Sequence, residues 1–304
     1  MNQENSYHQP VMLAESMSGL SIKPDGIYVD LTFGGGGHAK NILAQLTSGH
    51  LFAFDRDVDA ANLGRRITHP SFTFIRAPFR FLQRFLSFYG IEQVDGFLAD
   101  LGTSSHQINT ATRGFSTRFN GVLDMRMDRS TTCTALEIIN TYTEEQLALL
   151  FKNYAEVRFA TTIAKRIIAA RELNPITTTV MLKEIIAPLS PAKREDQYFA
   201  KVFQSLRIEV NDELGELKYM LQQANNMLKK GGRLVVISYH SLEDSLAKNF
   251  IHTGDFLGNL AKDIYGNSHT PFIPLHRKPI TPSEKEIADN KRARSAKLRV
   301  GVRQ

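Results

Sequence analysis

The sequence has little of what marks a secreted or membrane-bound protein. It contains one cysteine, Cys133, among 304 residues, so no internal disulfide can form and the chain suits a reducing compartment. Residues 1–10 are polar and lack the apolar core of a signal peptide. No apolar run approaches the roughly 20 residues that a membrane-spanning helix needs. We therefore expect a cytoplasmic protein that makes no membrane contact.

Excess charge is also scarce, and it lies at one end of the chain. There are 37 Lys and Arg against 31 Asp and Glu, and residues 291–304 hold six of the basic residues and none of the acids. A basic tail is consistent with a nucleic-acid partner. However, Lys297, Arg299 and Arg303 alternate with apolar residues, which is the pattern of a half-buried strand with a solvated charged face. We predict a strand here, and whether its charged face also meets RNA stays open.

The most informative stretch is a strand, a glycine run and a helix near the N-terminus. Residues 27–33 are apolar and predict a short buried strand, residues 34–37 are all glycine, and residues 39–46 have helical apolar spacing. Glycine lets the backbone approach a ligand, and a helix start presents free N–H groups. Gly34, Gly36 and Ala39 fit the dinucleotide fingerprint. Asp30 before the glycines is more typical of S-adenosylmethionine enzymes, and a plain flexible turn also stays open.

The strand–helix pattern then repeats. Further strands are predicted at residues 51–55, 72–75 and 94–99, each followed by a helix or an acid. Such repeats indicate a parallel sheet with right-handed crossovers, whose ligands bind beyond the carboxyl ends of the strands. Asp30, the glycine run, Asp55, Phe79 and Asp100 all fall at that edge. Asp55 stands where a carboxylate receives ribose hydroxyls, and Asp57 is the better N-cap for the following helix.

From about residue 106 the repeat stops and only helices are predicted, at residues 135–139, 144–151, 156–172 and 180–187. We expect an inserted helical domain at 108–195, between two parts of the sheet domain at 1–107 and 196–304. Arg113, Arg118 and Arg126 are candidates for RNA contact, although such arginines also occur on merely solvated faces.

The predicted sheet domain resumes after the insertion. Residues 199–228 predict one long helix that glycines 231–232 cap, residues 233–240 predict a fifth strand, and residues 253–290 read as loop.

Many separate motifs, in order, match one family. The matching stretches are His8-x-Pro10-Val11, Asp30-x-Thr32-Phe33-Gly34-x-Gly36-Gly37-His38, Asp55-Arg56-Asp57, Pro78-Phe79, Asp100-Leu101-Gly102-x-Ser104-Ser105-x-Gln107, Arg113-Gly114-Phe115-Ser116, Leu123-Asp124-Met125-Arg126-Met127-Asp128, Phe203-Gln204-x-Leu206-Arg207-Ile208-x-Val210-Asn211, Ser238-Tyr239-His240-Ser241-Leu242-Glu243-Asp244 and Arg292-Ala293-Arg294-Ser295-Ala296-Lys297-Leu298-Arg299. Together they closely resemble the MraW family, also called RsmH, over almost the whole chain. Gly35 departs from this family's pattern, which often has a larger residue there.

The resemblance implies a fold, a cofactor and a substrate. The fold would be α/β: a class I S-adenosylmethionine-dependent methyltransferase, Rossmann-like and mostly parallel, with the inserted helical domain recognising substrate. The substrate would be the N4 amino group of a cytidine in 16S ribosomal RNA of the small ribosomal subunit. No metal is implied, and the oligomeric state is not indicated. The implied S-adenosylmethionine ligands are Gly36, Gly37, His38, Asp55, Phe79, Asp100 and Gln107.

The catalytic group is less apparent from the sequence. Amino-methylating enzymes often carry a D/N/S-P-P-aromatic motif after the fourth strand, and residues 100–105 lack it. Tyr239 or Phe115 could supply the missing stacking ring. His240, at the end of the fifth strand, is our candidate catalytic proton acceptor, although a structural histidine fits the position equally well. A nicotinamide-dependent oxidoreductase and a non-catalytic ribosome-assembly factor that senses S-adenosylmethionine stay as alternatives.

Overall fold

The computed structural model describes residues 10–261, 265–266, 268 and 270–304, so the motif that starts at His8 lies partly outside the described residues. The chain divides into two compact units, Met1–Gly102 with Leu214–Gln304, and Thr103–Glu213. The strands are β1 (Ile27–Asp30), β2 (His50–Asp55), β3 (Phe72–Arg76), β4 (Val94–Asp100), β5 (Leu228–Ser238), β6 (Phe272–Pro274) and β7 (Lys297–Arg303). The helices are α1 (Leu13–Leu20), α2 (Gly37–Leu43), α3 (Val58–Gly64), α4 (Leu82–Phe88), α5 (Ser105–Asn109), α6 (Ala135–Thr141), α7 (Glu144–Leu150), α8 (Ala160–Leu173), α9 (Thr179–Ile186), α10 (Glu195–Asn211), α11 (Glu213–Met227), α12 (Ser241–Thr253) and α13 (Glu284–Asp289).

The first unit is built on a seven-stranded sheet in the order β3-β2-β1-β4-β5-β7-β6. The pairs among β1 to β5 are parallel, whereas β7 runs antiparallel to both β5 and β6. Tyr28 and Val29, which are neighbours on β1, belong to two different hydrophobic clusters, because successive side chains of a strand point to opposite faces. Helices α4, α11 and α12 contribute to one cluster and α1 and α2 to the other. The predicted Rossmann-like, mostly parallel α/β fold is confirmed.

The second unit is helical and has its own hydrophobic core, to which α6 to α10 all contribute. Its loops are held by buried polar groups. Arg113 is fully buried and donates from Nη2 to the carbonyl oxygens of Arg126 and Met127, at 2.9 and 3.3 Å. The Arg126 guanidinium binds the Asp124 carboxylate through two hydrogen bonds of 2.7 and 3.0 Å. The expectation that Arg113 contacts RNA is therefore wrong, whereas Arg118 is exposed.

The predicted single helix at 199–228 is also wrong. Asp212 adopts a left-handed conformation with φ of 46°, which ends α10 before α11 begins. Apolar side chains recur on both sides of this break, so the periodicity does not reveal it. Helix α10 buries Phe199, Val202 and Phe203 in the second unit's core. That unit, residues 103–213, thus extends past the predicted end of the insertion at residue 195.

Two other predictions are corrected near the end of the chain. Glycines 231–232 do not cap a helix, because they lie within β5, where the register with β4 shifts between Val94 and Gly96. The stretch 253–290 contains β6 and α13 rather than loop alone. Ser283 accepts a hydrogen bond from the Glu286 N–H at the start of α13.

The basic C-terminal strand forms as predicted, but its charged face is not simply solvated. Arg299 is 9% exposed, and its Nε lies 2.6 Å from Asp244 Oδ1 on α12. The Lys297 ammonium lies 3.2 Å from the same carboxylate. Both cations are therefore paired with an acid of α12, Arg299 as a buried group and Lys297 as a partly exposed one. None of the helices in the described part of the chain combines the length and apolarity needed to cross a bilayer.

Candidate functional site

The glycine run turns the chain from β1 into α2. Gly36 has φ of 77°, and a Cβ there would lie 2.7 Å from the Phe33 ring. A Cβ on Gly37 would overlap Pro10. A Cβ on Gly35, in contrast, would meet nothing within 4 Å. Backbone conformation and packing thus require glycine at 36 and 37, while Gly35 borders open space where a ligand can approach the backbone.

Asp55, at the end of β2, holds this loop and the next one. Its Oδ2 accepts from the Gly34 N–H at 2.8 Å, and its Oδ1 accepts from the Asp57 N–H at 2.9 Å. Asp57 in turn accepts from the Asp59 N–H at 2.9 Å and caps α3, as predicted. Desolvation raises the pKa of the Asp55 carboxyl to about 6, although these two hydrogen bonds oppose the shift.

Asp100 is the last residue of β4, and it makes hydrogen bonds to residues that follow β1 and β5. Its Oδ1 accepts from the Tyr239 hydroxyl at 2.7 Å, and its backbone N–H donates to Thr32 Oγ1 at 2.6 Å. Its Oδ2 lies 3.9 Å from His38 Nδ1. His38 is 6% exposed, its Nε2 lies 3.1 Å from the Val11 carbonyl oxygen, and burial lowers its pKa. A neutral His38 that donates from Nε2 fits this geometry.

Asp30 is the third carboxyl at this edge. It is fully buried; its Oδ1 accepts from the Thr32 N–H at 3.1 Å, and its Oδ2 has no hydrogen-bond partner among the described residues. Desolvation, with smaller contributions from Asp100 and Asp55, raises the pKa of Asp30 to about 6. Three carboxyls at the ends of neighbouring strands favour a ligand that carries positive charge, such as a sulfonium with an ammonium group. The residues present therefore fit S-adenosylmethionine.

Phe79 and His240 follow β3 and β5, respectively. Phe79 begins a short 3₁₀ turn, its ring is half-buried, and its carbonyl oxygen accepts from Gln223 Nε2 at 3.0 Å. The His240 side chain is 8% exposed, and its Nε2 lies 3.1 Å from Glu243 Oε1. Neither ring nitrogen of His240 makes a hydrogen bond to a described residue, so the contact with Glu243 is one of charge and proximity. His240 is thus a buried histidine with one ring nitrogen beside an acid.

Gln107, the last residue of the predicted ligand set, belongs to the second unit. It is buried and takes part in a capping box at the start of α5, where its Oε1 accepts from the Ser104 N–H at 3.0 Å. The first unit brings the glycine run, His38, Asp55 and Asp100 to one sheet edge. The sequence reasoning did not assign Thr32 or Glu243 a role. Their sequence signal is their place in the matching motifs, close to Asp30 and to His240.

The comparison with known families identifies the family of this chain. The model of the MraW methylase family matches residues 5–304. The chain belongs to the MraW methylase family. Membership confirms the family predicted from the motifs and S-adenosylmethionine as the cofactor. It leaves the nicotinamide-dependent oxidoreductase without support.

Three similar relatives all carry the name "Ribosomal RNA small subunit methyltransferase H". That of Amoebophilus asiaticus is 59% identical over 299 residues, covering 98% of this chain and 96% of the relative. That of Cytophaga hutchinsonii is 50% identical, covering 98% and 100%. That of Christiangramia forsetii is 52% identical, covering 97% of both chains. A solved rRNA methylase from Streptococcus thermophilus is 10% identical with a TM-score of 0.43, covering 98% of this chain and 99% of that one, and is too remote to bear on function.

Proposed function

We propose that this member of the MraW methylase family transfers a methyl group from S-adenosylmethionine to the exocyclic N4 of a specific cytidine in 16S ribosomal RNA of the small ribosomal subunit. The observation that carries the proposal is the near full-length similarity to relatives named for small-subunit ribosomal RNA methylation. The choice of cytidine N4 rests on the family resemblance of the motifs. The three carboxyls at the sheet edge support a cationic methyl donor.

The chain's own residues would bind the cofactor in distinct ways. Asp55 would accept ribose hydroxyls while it keeps the glycine loop in place through the Gly34 N–H. Gly36 and Gly37 would hold the loop in the conformation that presents its backbone to the ligand, since they pack against Phe33 and Pro10. His38 and Asp100 would line the same edge, with Phe79 and Gln107 completing the proposed set. The bound cofactor supplies a methyl group already activated by its sulfonium.

Cytosine N4 is a weak nucleophile, because its lone pair is conjugated with the ring. Catalysis would depend mainly on holding N4 about 3 Å from the methyl group and in line with it. As N4 gains the methyl group it loses one proton, and we propose that His240 accepts that proton. Support comes from its Nδ1, which no described residue engages, and from Glu243, whose carboxylate lies beside Nε2 and would stabilise the imidazolium.

Presentation of the base sets a further requirement. A cytidine stacked and paired in a helix cannot offer N4 to an enclosed site, so the base must be unpaired or flipped out. We propose that the inserted helical domain, predicted at 108–195, recognises the substrate. The exposed Arg118 is a candidate contact, whereas Arg113 is not, because it is buried against carbonyl oxygens.

The proposal is tested with small subunits from cells that lack this gene. Labelled S-adenosylmethionine and the purified protein should place one methyl group on cytosine N4 in the 16S RNA, and mass mapping of nuclease fragments identifies the atom. A methyl group on another atom or another RNA would contradict the proposal. Cofactor binding without any transfer would instead favour the non-catalytic sensor.

The form of the RNA gives a second expectation. Because charge is balanced outside residues 291–304, generic attraction to free RNA should be weak, and a folded particle should be methylated much better than naked 16S RNA. Rates should fall as salt rises, because phosphate contacts release counterions. Comparing initial rates on both substrates at matched salt checks this. Equal rates would mean that the sequence around the cytidine is sufficient.

A further inference from the structure

A cavity of about 290 Å³ opens in the first unit, at the junction of β5, the start of α12 and the turn before β7. Its lining includes no residue of the proposed cofactor set. Its lining residues are Tyr239, His240, Ser241, Thr281, Arg294, Ser295, Ala296 and Lys297. Tyr239 also donates to Asp100, so one wall of the cavity belongs to the residues at the ends of the strands. The cavity therefore adjoins the candidate site and has its own polar lining.

The lining at the far wall has the chemistry of an anion site. Arg294 is exposed, and Lys297, although it lies 3.2 Å from Asp244, keeps 43% of its side chain exposed. The hydroxyls of Ser241, Thr281 and Ser295 can donate to oxygen atoms. No carboxylate is among the lining residues. Guanidinium, ammonium and hydroxyl groups around one small cavity favour a phosphate.

The wall formed by Tyr239 and His240 has a different character. The Tyr239 ring offers an apolar surface, and the 8%-exposed His240 has an Nδ1 that no described residue engages. An unpartnered polar atom on a buried side chain is costly unless a ligand satisfies it. The cavity thus combines a cationic wall with an aromatic and hydrogen-bonding wall, which matches a phosphate at one end and a base at the other.

The size of the cavity limits what enters it. About 290 Å³ is at the small end of the range for ligand sites. One nucleotide is of that scale, whereas a base-paired helix is much wider. The volume and the lining of the cavity therefore fit a single nucleotide that has been extruded from its helix.

We propose that this cavity holds the nucleotide that is methylated, with its phosphate at Arg294, Ser295 and Lys297 and its base at Tyr239 and His240. The proposal deepens and rests on the proposed function. Arg294 positions the nucleotide by binding its phosphate. The proposed cofactor site is not changed by this assignment. Removing this guanidinium should weaken substrate binding without altering the chemical step.

The first test is Arg294→Ala, with Arg84→Ala as the matched control. Arg84 is also an exposed arginine of the first unit, on α4, and does not line the cavity. For Arg294→Ala, we expect KM for the small subunit to rise at least tenfold, while kcat and the Kd for S-adenosylmethionine stay within twofold of wild type. Its log–log salt slope should be shallower by about 1, and Arg294→Lys should recover part of the loss. A KM and a salt slope equal to those of Arg84→Ala would overturn the proposal.

The second test does not depend on methyl transfer. Titration of the cofactor-bound protein should show tighter binding of cytidine 5′-monophosphate than of cytidine, and Arg294→Ala should abolish that difference. Equal binding of both compounds by the wild type would overturn the subsite. If the wild type shows the phosphate preference but methylates no small subunit, the subsite stands and the proposed function fails. If it methylates small subunits and Arg294→Ala has no effect in either test, only the subsite fails.

Discussion

At the scale of single residues, Asp30 shows how a functional carboxyl lowers the stability of the empty protein. It is fully buried, one carboxyl oxygen has no described partner, and burial raises its pKa from the ordinary 3.8 to about 6. Because the folded-state pKa lies above the unfolded one, the folded protein loses stability as the pH rises from about 4 to about 6. Above about pH 6, the ionised carboxylate lowers the free energy of unfolding by a constant amount.

Asp30→Asn should therefore stabilise the cofactor-free protein in a pH-dependent way. We expect a gain in the free energy of unfolding of about 1–3 kcal/mol at pH 7.5, and almost none near pH 4. Urea denaturation at both pH values measures it. Asp25→Asn is the control, because Asp25 is exposed and its replacement should change little at either pH. A gain for Asp30→Asn that is the same at both pH values would contradict this interpretation.

At the scale of elements, the turn between β1 and α2 has glycines with different roles. Gly36 has positive φ and lies against Phe33, whereas Gly35 lacks a positive φ, and a Cβ added to it would have no neighbour within 4 Å. Adding a methyl group at Gly36 strains the backbone and clashes with an aromatic ring. The same change at Gly35 only reduces the conformational freedom of the unfolded chain, which slightly favours the folded state.

We predict opposite outcomes for the two substitutions. Gly36→Ala should lower the free energy of unfolding by about 1–2 kcal/mol and weaken S-adenosylmethionine binding, because the loop shifts away from Asp55. Gly35→Ala should leave the fold as stable as the wild type or slightly more so. Thermal unfolding and cofactor titration of both variants check this. Equal destabilisation by both would mean that the loop tolerates no side chain at all, whatever its conformation.

At the scale of the whole molecule, the boundary between the two units determines which segment can be deleted without exposing a hydrophobic core. Helix α10 buries Tyr198, Phe199 and Leu206 among side chains of the second unit. Removing only residues 108–195 would leave that helix with an uncovered apolar face, which promotes aggregation. Removing residues 103–213 takes the helix together with its partners.

We therefore expect the two deletions, each bridged by a Gly/Ser linker, to behave differently. The chain without 103–213 should unfold cooperatively and bind S-adenosylmethionine measurably, with some loss because Gln107 is absent, and it should not methylate small subunits. The chain without 108–195 should aggregate or melt at lower temperature. Gel filtration, thermal unfolding and the methyl-transfer assay measure this. Full methylation by the shorter chain would show that the second unit does not hold substrate.

Much of the sheet and of its edge was determined by the sequence itself. Strands β1 to β4, the glycine turn, the Asp57 cap and the position of Asp55 and Asp100 at strand ends are local features. Each depends on a short run of apolar residues, on glycine, or on an acid beside a helix start, so a window of a few residues contains the information. The helix α1 was missed; no side chain caps its start at Met12, so the usual sequence signal for a helix start is lacking.

Other features were decided only by the tertiary structure. The break at Asp212, the burial of Arg113, the pairing of Arg299 with Asp244 and the hydrogen bond from Tyr239 to Asp100 were not predicted. In sequence, Asp244 lies 55 residues from Arg299, and Asp100 lies 139 from Tyr239. A local pattern shows that an arginine alternates with apolar residues, but not whether an acid on a distant helix faces it. Which charges stay free for a substrate is settled by side chains that meet only when the chain folds.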